Sequence, residues 1–68
     1  MTWERTPWGW RAEVPGWTLR VRQVDELGLR WEWEVSHCSY WVDVGDRARS
    51  LTEAQDAALR MVRKMERD

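Results

Sequence analysis

The chain has 68 residues, a formal net charge of −1, one Cys, one His and seven Trp. This length suits one domain with a small core, and 43% apolar with 34% charged residues excludes a disordered tail. One Cys excludes a disulfide-stapled secreted scaffold, so we expect a cytoplasmic protein. We expect no membrane span and no signal peptide, and the near-zero net charge argues against bulk nucleic acid as the dominant partner.

The first part of the chain is rich in Trp and in turn-forming residues. Apolar side chains alternate with other residues over positions 8–14, although Gly9 weakens this pattern, and Pro15-Gly16 is a turn signal. We therefore predict a Trp-rich arm or edge strand over residues 1–16. The remainder, residues 17–68, is predicted to form a single domain.

Three later segments alternate apolar and polar residues and are predicted as strands: residues 17–24, 29–35 and 40–44. A polar turn over residues 36–39 separates the second strand from the third, and Gly45 is expected to end the third. The apolar side of the sheet is then formed by Trp17, Leu19, Val21, Leu29, Trp31, Trp33, Val35 and Val42.

Antiparallel pairing of the first two of these strands must keep their apolar faces together, because a one-residue slip inverts every side chain. Glu32 then lies opposite either Arg20 or Arg22. Both registers give an Arg–Glu pair across the strands, which contributes about 0.2–1 kcal/mol.

The end of the chain, residues 50–68, is predicted as a helix. Ser50 is a candidate N-cap, and Glu53 completes the capping-box pattern three residues later. Apolar residues recur at helical spacing on one stripe: Leu51, Ala54, Ala58, Met61, Val62 and Met65, with Leu59 on its flank. The order of elements predicts an α+β fold, in which a three- or four-stranded antiparallel sheet carries one C-terminal helix packed on one face.

The residue types that usually carry catalysis are sparse. His37 and Cys38 are adjacent, and neighbouring residues of an extended chain point to opposite faces, so a nucleophile–base pair is not expected. One His and one Cys supply too few ligands for a zinc site. Glu32 and Glu34 share the solvent face of a strand, where a buried general acid cannot form. We predict no enzyme, no metal site and no cofactor.

The number of Trp residues is the feature that points to a function. Trp17, Trp31 and Trp33 fit under the helix, whereas the other four have no evident place in the core. Trp and Arg dominate binding hot spots, so we predict a non-enzymatic protein-binding module. Its predicted partner-binding residues are Trp3, Trp8, Trp10, Trp41, Arg5 and Arg11.

Three alternatives use the same part of the chain. The arm can fold back as a fourth strand that covers Trp8 and Trp10, or the same patch can build a homodimer. A membrane-surface arm is a third alternative, because Trp and Arg suit the headgroup region. Glu4 and Glu13 oppose its adhesion to anionic lipid.

A nucleic-acid-binding role is the alternative from a different class. Its candidate residues lie on the outer face of the predicted helix: Arg60, Arg63, Lys64 and Arg67. Four acidic residues of the same helix balance them: Glu53, Asp56, Glu66 and Asp68. Nucleic acid is therefore not the expected partner.

A resemblance to other proteins bears on the origin of this chain. The motif W-E-W-E-V over residues 31–35, then Gly45 and Ala48, and S-L-T-E-A-Q-D-A-A over residues 50–58 resemble a group of small uncharacterised proteins of actinobacteria and their bacteriophages. The resemblance covers about residues 17–62 and implies the fold more than an activity. Because such phage proteins often bind a host protein, it implies a host protein as partner and the host cytoplasm as location.

Overall fold

A computed structural model describes residues 2–27, 29–39 and 43–67. In this part of the chain five strands precede one helix: β1 (Glu4–Thr6), β2 (Gly9–Val14), β3 (Trp17–Gln23), β4 (Trp31–His37), β5 (Asp43–Ala48) and α1 (Leu51–Arg67). Each strand pairs antiparallel with the next, so the sheet order is β1-β2-β3-β4-β5. The α+β class with a C-terminal helix is confirmed, but the sheet has five strands where three or four were predicted.

The additional strand comes from the Trp-rich first segment. Residues 4–14 form a hairpin, with β1 and β2 joined by the turn at Pro7 and Trp8. The strand predicted within residues 1–16 is thus β2, which lies between β1 and β3 and not at the edge of the sheet. Only three residues long, β1 is too short to show an alternating pattern in the sequence.

The helix begins as its capping pattern predicts. The Glu53 N–H donates to the Ser50 hydroxyl oxygen at 3.1 Å, and the Glu53 carboxylate accepts from the Arg49 N–H at 3.1 Å. Ala54, Ala58 and Val62 of the predicted stripe are buried. The rest of that stripe lies half-buried against the core, so the predicted helical face is confirmed.

The core lies between α1 and one side of the sheet, which we call the helix side; the other is the open side. The sheet contributes most of the buried residues: Ala12, Trp17, Leu19, Val21, Trp33, Val35 and Ala48. Of the predicted apolar face, Trp31 is only half-buried, and Leu29 is 62% exposed because β4 begins at Trp31. Val42 lies outside the described residues.

The register selects one of the two predicted pairings. Glu32 lies opposite Arg22, and Glu34 lies opposite Arg20. Both pairs lie on the open side, away from the core. The predicted pairing, which keeps the apolar faces of the two strands on the same side of the sheet, is therefore correct.

The predicted turn and third strand have different boundaries. Ser36 and His37 belong to β4, and β5 continues through Gly45 to Ala48. Gly45 lies within β5, at a position where a Cβ would lie 2.5 Å from the Trp33 carbonyl oxygen. The close approach of the two strands therefore requires a residue without a side chain. Residues 40–42, including Trp41, lie outside the described residues.

The helix covers only part of the sheet. Within the described residues, α1 packs against β3, β4 and β5, and no Cα atom of α1 lies within 8 Å of a Cα atom of β1 or β2. Ala12 of β2 is nevertheless buried in the core. The backbone of the N-terminal hairpin therefore lies farther from α1 than the rest of the sheet.

Candidate binding surface on the N-terminal hairpin

The hairpin is held tightly against β3 by a glycine. Gly9 lies opposite Arg22 with a φ of 154°, and a Cβ at this position would lie 2.1 Å from the Val21 carbonyl oxygen. A side chain would therefore force the two strands apart. The glycine that weakened the strand prediction is what allows the hairpin to join the sheet.

Two indoles and one guanidinium lie on the helix side of this hairpin. Arg5 lies opposite Trp10, and its guanidinium carbon is 5.8 Å from the centroid of the Trp10 ring. This is a cation–π geometry, worth about 0.5–1 kcal/mol at an exposed site. Trp3 and Trp10 are half-buried and pack against the edge of the core. Each indole therefore keeps part of its surface available for contact.

Trp8 lies in the turn at the end of the hairpin, and 79% of its surface is exposed to solvent. We define the hairpin surface as Trp3, Arg5, Trp8 and Trp10. These four belong to the predicted partner-binding set and lie on one hairpin. Trp3, Arg5 and Trp10 lie on its helix side, whereas Trp8 lies in its turn and lines the depression on the open side.

The other two predicted residues are not placed with them. Arg11 alternates with Trp10 along β2, so it points to the open side, where it forms an ion pair with Glu13. Trp41 lies outside the described residues. The strict alternation of a strand could have separated Arg11 from Trp10 at the sequence level.

A second group of exposed apolar residues was not predicted. The loop between β3 and β4 carries Val24, Leu27 and Leu29, which are 45%, 80% and 62% exposed. We call these three residues the loop patch. In a meander the β1–β2 turn and the β3–β4 loop lie at the same end of the sheet, and the register of β2 with β3 places the turn beside the end of β3. The loop patch therefore lies at the same end of the sheet as Trp8.

Hydrogen bonds connect several of the described residues of this loop. The Asp25 carboxylate accepts from the Leu29 N–H at 2.9 Å and from the Arg30 N–H at 3.2 Å. The Val24 N–H donates to the Arg30 carbonyl at 2.9 Å, and the Gln23 side-chain amide donates to the Asp25 carbonyl at 2.6 Å. An ordered loop presents its apolar side chains at a lower entropic cost of binding than a flexible one.

The open side of the sheet is charged but internally compensated. Arg22 donates twice to one oxygen of Glu32, at 2.8 and 3.1 Å, and Arg20 donates to Glu34 at 3.4 Å. These side chains line a depression of about 790 Å³. Arg11, Asp43 and Asp46 also line it, so three Arg side chains stand beside four carboxylates and the depression carries no excess of positive charge.

The residues weighed for catalysis lie near the other end of the sheet. The His37 ring packs edge-on against Trp17, with 4.6 Å between centroids, and its Nδ1 accepts from the Ser39 N–H at 3.0 Å. Cys38 is exposed and its thiol lies 3.6 Å from the Ser39 hydroxyl. Within residues 2–27, 29–39 and 43–67, no group of three His, Cys, Asp or Glu side chains is arranged to hold a metal ion. His37 is thus a packing partner of Trp17 in this fold.

The alternative basic surface is present on α1. Its candidate residues are all exposed: Arg60, Arg63, Lys64 and Arg67. The described part of the chain gives none of these four an ion pair within 4 Å. Glu66 lies among them on the same helix.

Comparisons with protein-family models, with curated proteins and with solved structures find no match to this chain. Among the described residues, α1 is the single helix, and it lacks the length and hydrophobicity that crossing a membrane requires.

Proposed function

We propose that this chain is a non-enzymatic protein-binding module that uses the hairpin surface, together with the loop patch at the same end of the sheet, to bind a protein partner. The observation that carries this proposal is the incomplete cover of the sheet by α1. No Cα atom of α1 lies within 8 Å of β1 or β2, and Trp3 and Trp10, which pack against the edge of the core, stay half-buried.

The residue types of this surface support protein recognition. Trp and Arg are the types most enriched in binding hot spots, and Arg5 already lies over Trp10 in the free protein. Trp offers a large contact area with only two side-chain torsions to immobilise. A partner that covers Trp10 would therefore meet a surface that is largely ordered before binding.

The size of the surface explains why the loop patch is included. The three indoles of the hairpin surface can each bury roughly 150–250 Å² of surface. Part of Trp3 and Trp10 is already covered within the chain. The surface that remains falls short of the ~800 Å² that each partner buries in a standard interface. Val24, Leu27 and Leu29 add exposed apolar surface at the same end of the sheet as Trp8.

The resemblance to phage proteins directs the proposal to a partner in the host cell. On this proposal the chain acts in the host cytoplasm, where it binds and modulates one host protein. A homodimer on the same surface is a variant of this idea. Sedimentation velocity at two protein concentrations distinguishes them, because a homodimer gives a concentration-dependent sedimentation coefficient.

The test begins with affinity capture from an actinobacterial lysate and continues with the purified partner. Calorimetric titration of that partner is repeated with Trp8→Ala and Trp10→Ala, and with Thr52→Ala on α1 as an exposed control remote from the hairpin. We expect the two Trp variants to lower affinity at least tenfold, and the control to retain it. Retained affinity in both folded Trp variants would reject this site.

A nucleic-acid role remains the second candidate because of the unpaired, exposed basic residues of α1. It predicts binding whose affinity falls steeply with salt, since phosphate contacts release counterions. An electrophoretic shift assay at low salt with random duplex DNA tests it, and Arg60→Ala with Lys64→Ala should weaken any shift observed. Absence of a shift at low salt would remove this candidate.

A further inference from the structure

The outer edge of β1 is open. Within the described residues β1 pairs with β2 and with no other strand, so its outward N–H and C=O groups have no strand partner. An open edge of this kind can bind an extended segment as an additional strand.

Among the described residues, the charged side chains of β1 have no ion-pair partner, although Arg5 lies over the Trp10 ring. On the interior strands Arg11, Arg20 and Arg22 each form an ion pair with a Glu. In the described part of the chain, neither Glu4 nor Arg5 forms an ion pair. Because they alternate along the strand, Arg5 faces the helix side with Trp10, and Glu4 faces the open side.

This pattern disfavours two of the symmetric pairings of β1 with a second copy of the chain. A two-fold antiparallel pairing centred on Arg5 places Arg5 directly opposite its own copy, and a pairing centred on Glu4 does the same for Glu4. Like charges directly opposite each other destabilise a pair of strands. A strand with the complementary order of charges meets no such penalty.

We propose, building on the proposed function, that β1 binds an extended segment of the partner protein as a sixth, antiparallel strand. Read from its N-terminus, the segment carries an acidic residue opposite Arg5, then a basic residue opposite Glu4, then an apolar residue opposite Trp3. The backbone groups of β1 supply the hydrogen bonds, and the alternating side chains supply the specificity. Trp3 and Trp10, which stay half-buried, provide the apolar floor.

The proposal is tested with two capped peptides of identical composition, built around T-E-K-V-T and T-K-E-V-T. Each is titrated into ¹⁵N-labelled protein, and amide chemical shifts are followed up to about 5 mM peptide, a range that detects millimolar dissociation constants. We expect shifts confined to β1 and β2, with T-E-K-V-T binding roughly threefold to tenfold more tightly.

The double variant Glu4→Lys with Arg5→Glu should reverse this preference while its spectrum outside β1 and β2 stays unchanged. Thermal unfolding of the variant confirms that it is folded. Equal binding of the two peptides, shifts outside the hairpin, or no shift at the highest concentration would each overturn the inference. In those cases the charges of β1 merely protect the edge from aggregation.

The same variant separates this inference from the proposed function. If Trp10→Ala loses the captured partner while the charge-swapped variant keeps full affinity, the hairpin surface binds the partner and the strand-addition inference is wrong. If the charge-swapped variant lowers partner affinity and also reverses the peptide preference, both stand. If neither variant changes partner affinity, both are wrong.

Discussion

Arg5 of β1 lies over the ring of Trp10 in β2, with 5.8 Å between the guanidinium carbon and the ring centroid. The two residues are direct partners in the register, on strands that have no Cα atom within 8 Å of α1. A cation on an aromatic face orients the indole and leaves its remaining surface open. On the proposed function, this contact contributes both to the stability of the hairpin and to the binding surface.

Removal of this cation should weaken the hairpin by a small, measurable amount. Arg5→Ala is expected to lower the free energy of unfolding by about 0.5–1 kcal/mol, as measured by urea denaturation followed by Trp fluorescence. Arg11→Ala is the matched control, since Arg11 lies on the same hairpin but faces the open side. If Arg11→Ala costs as much as Arg5→Ala, the contact with Trp10 contributes nothing specific.

Substitution of Gly9 should detach the hairpin from the sheet. A Cβ at position 9 would lie 2.1 Å from the Val21 carbonyl oxygen, so Gly9→Ala must move backbone rather than a flexible side chain. We expect a loss of more than about 1 kcal/mol in unfolding free energy and faster hydrogen exchange of the β2 amides. Thr6→Ala, directly opposite Gly9 in β1, is the control. Unchanged exchange in Gly9→Ala would contradict this account of the hairpin.

The core and the helix were predictable because their patterns are long and regular. Seven residues of period two placed Trp33 and Val35 on one side of β4, and both are buried. The capping pattern at Ser50 likewise marked the first turn of α1, where the hydroxyl accepts the Glu53 N–H. These signals depend on local geometry that neighbouring elements do not alter.

The errors arise where local rules compete with tertiary contacts. Leu29 has the right parity for the apolar face, but Asp25 accepts a hydrogen bond from its N–H and holds it in the loop. Gly45 reads as the end of a strand, yet the close approach of the Trp33 carbonyl requires a glycine within β5. The short strand β1 has no pattern of its own and is recognisable only through its pairing with β2.

The candidate site was only partly predictable, because the positions of its residues depend on how the strands pair. The excess of Trp pointed to Trp3, Trp8 and Trp10, whose placement depends on a hairpin that the turn residues only suggested. Leu27 could have been noticed, because it lies among the turn-forming residues of a loop where no core can cover it. Its position at the same end of the sheet as Trp8 follows only from the order of the strands.

The two ion pairs between β3 and β4 on the open side should contribute unequally to the free energy of unfolding. Arg22 makes two hydrogen bonds to Glu32, whereas Arg20 makes one longer bond to Glu34. Double-mutant cycles with Ala should give a coupling of about 0.2–1 kcal/mol for Arg22–Glu32 and a smaller one for Arg20–Glu34. Both should shrink in 1 M salt. Equal couplings, or a coupling that salt does not reduce, would contradict this reading of the geometry.

The loop patch should matter for binding and not for folding. Leu27 and Leu29 are 80% and 62% exposed, so Leu27→Ser with Leu29→Ser should change the unfolding free energy by less than about 0.5 kcal/mol per residue. Leu19→Ala, at a fully buried site, is the contrasting control and should cost about 2–5 kcal/mol. Since the patch lies at the same end of the sheet as Trp8, the double Ser variant should also lower affinity for the captured partner in the calorimetric titration. A stable variant with undiminished affinity would restrict the interface to the hairpin, whereas an unstable one would show that the loop packs more closely than its exposure indicates.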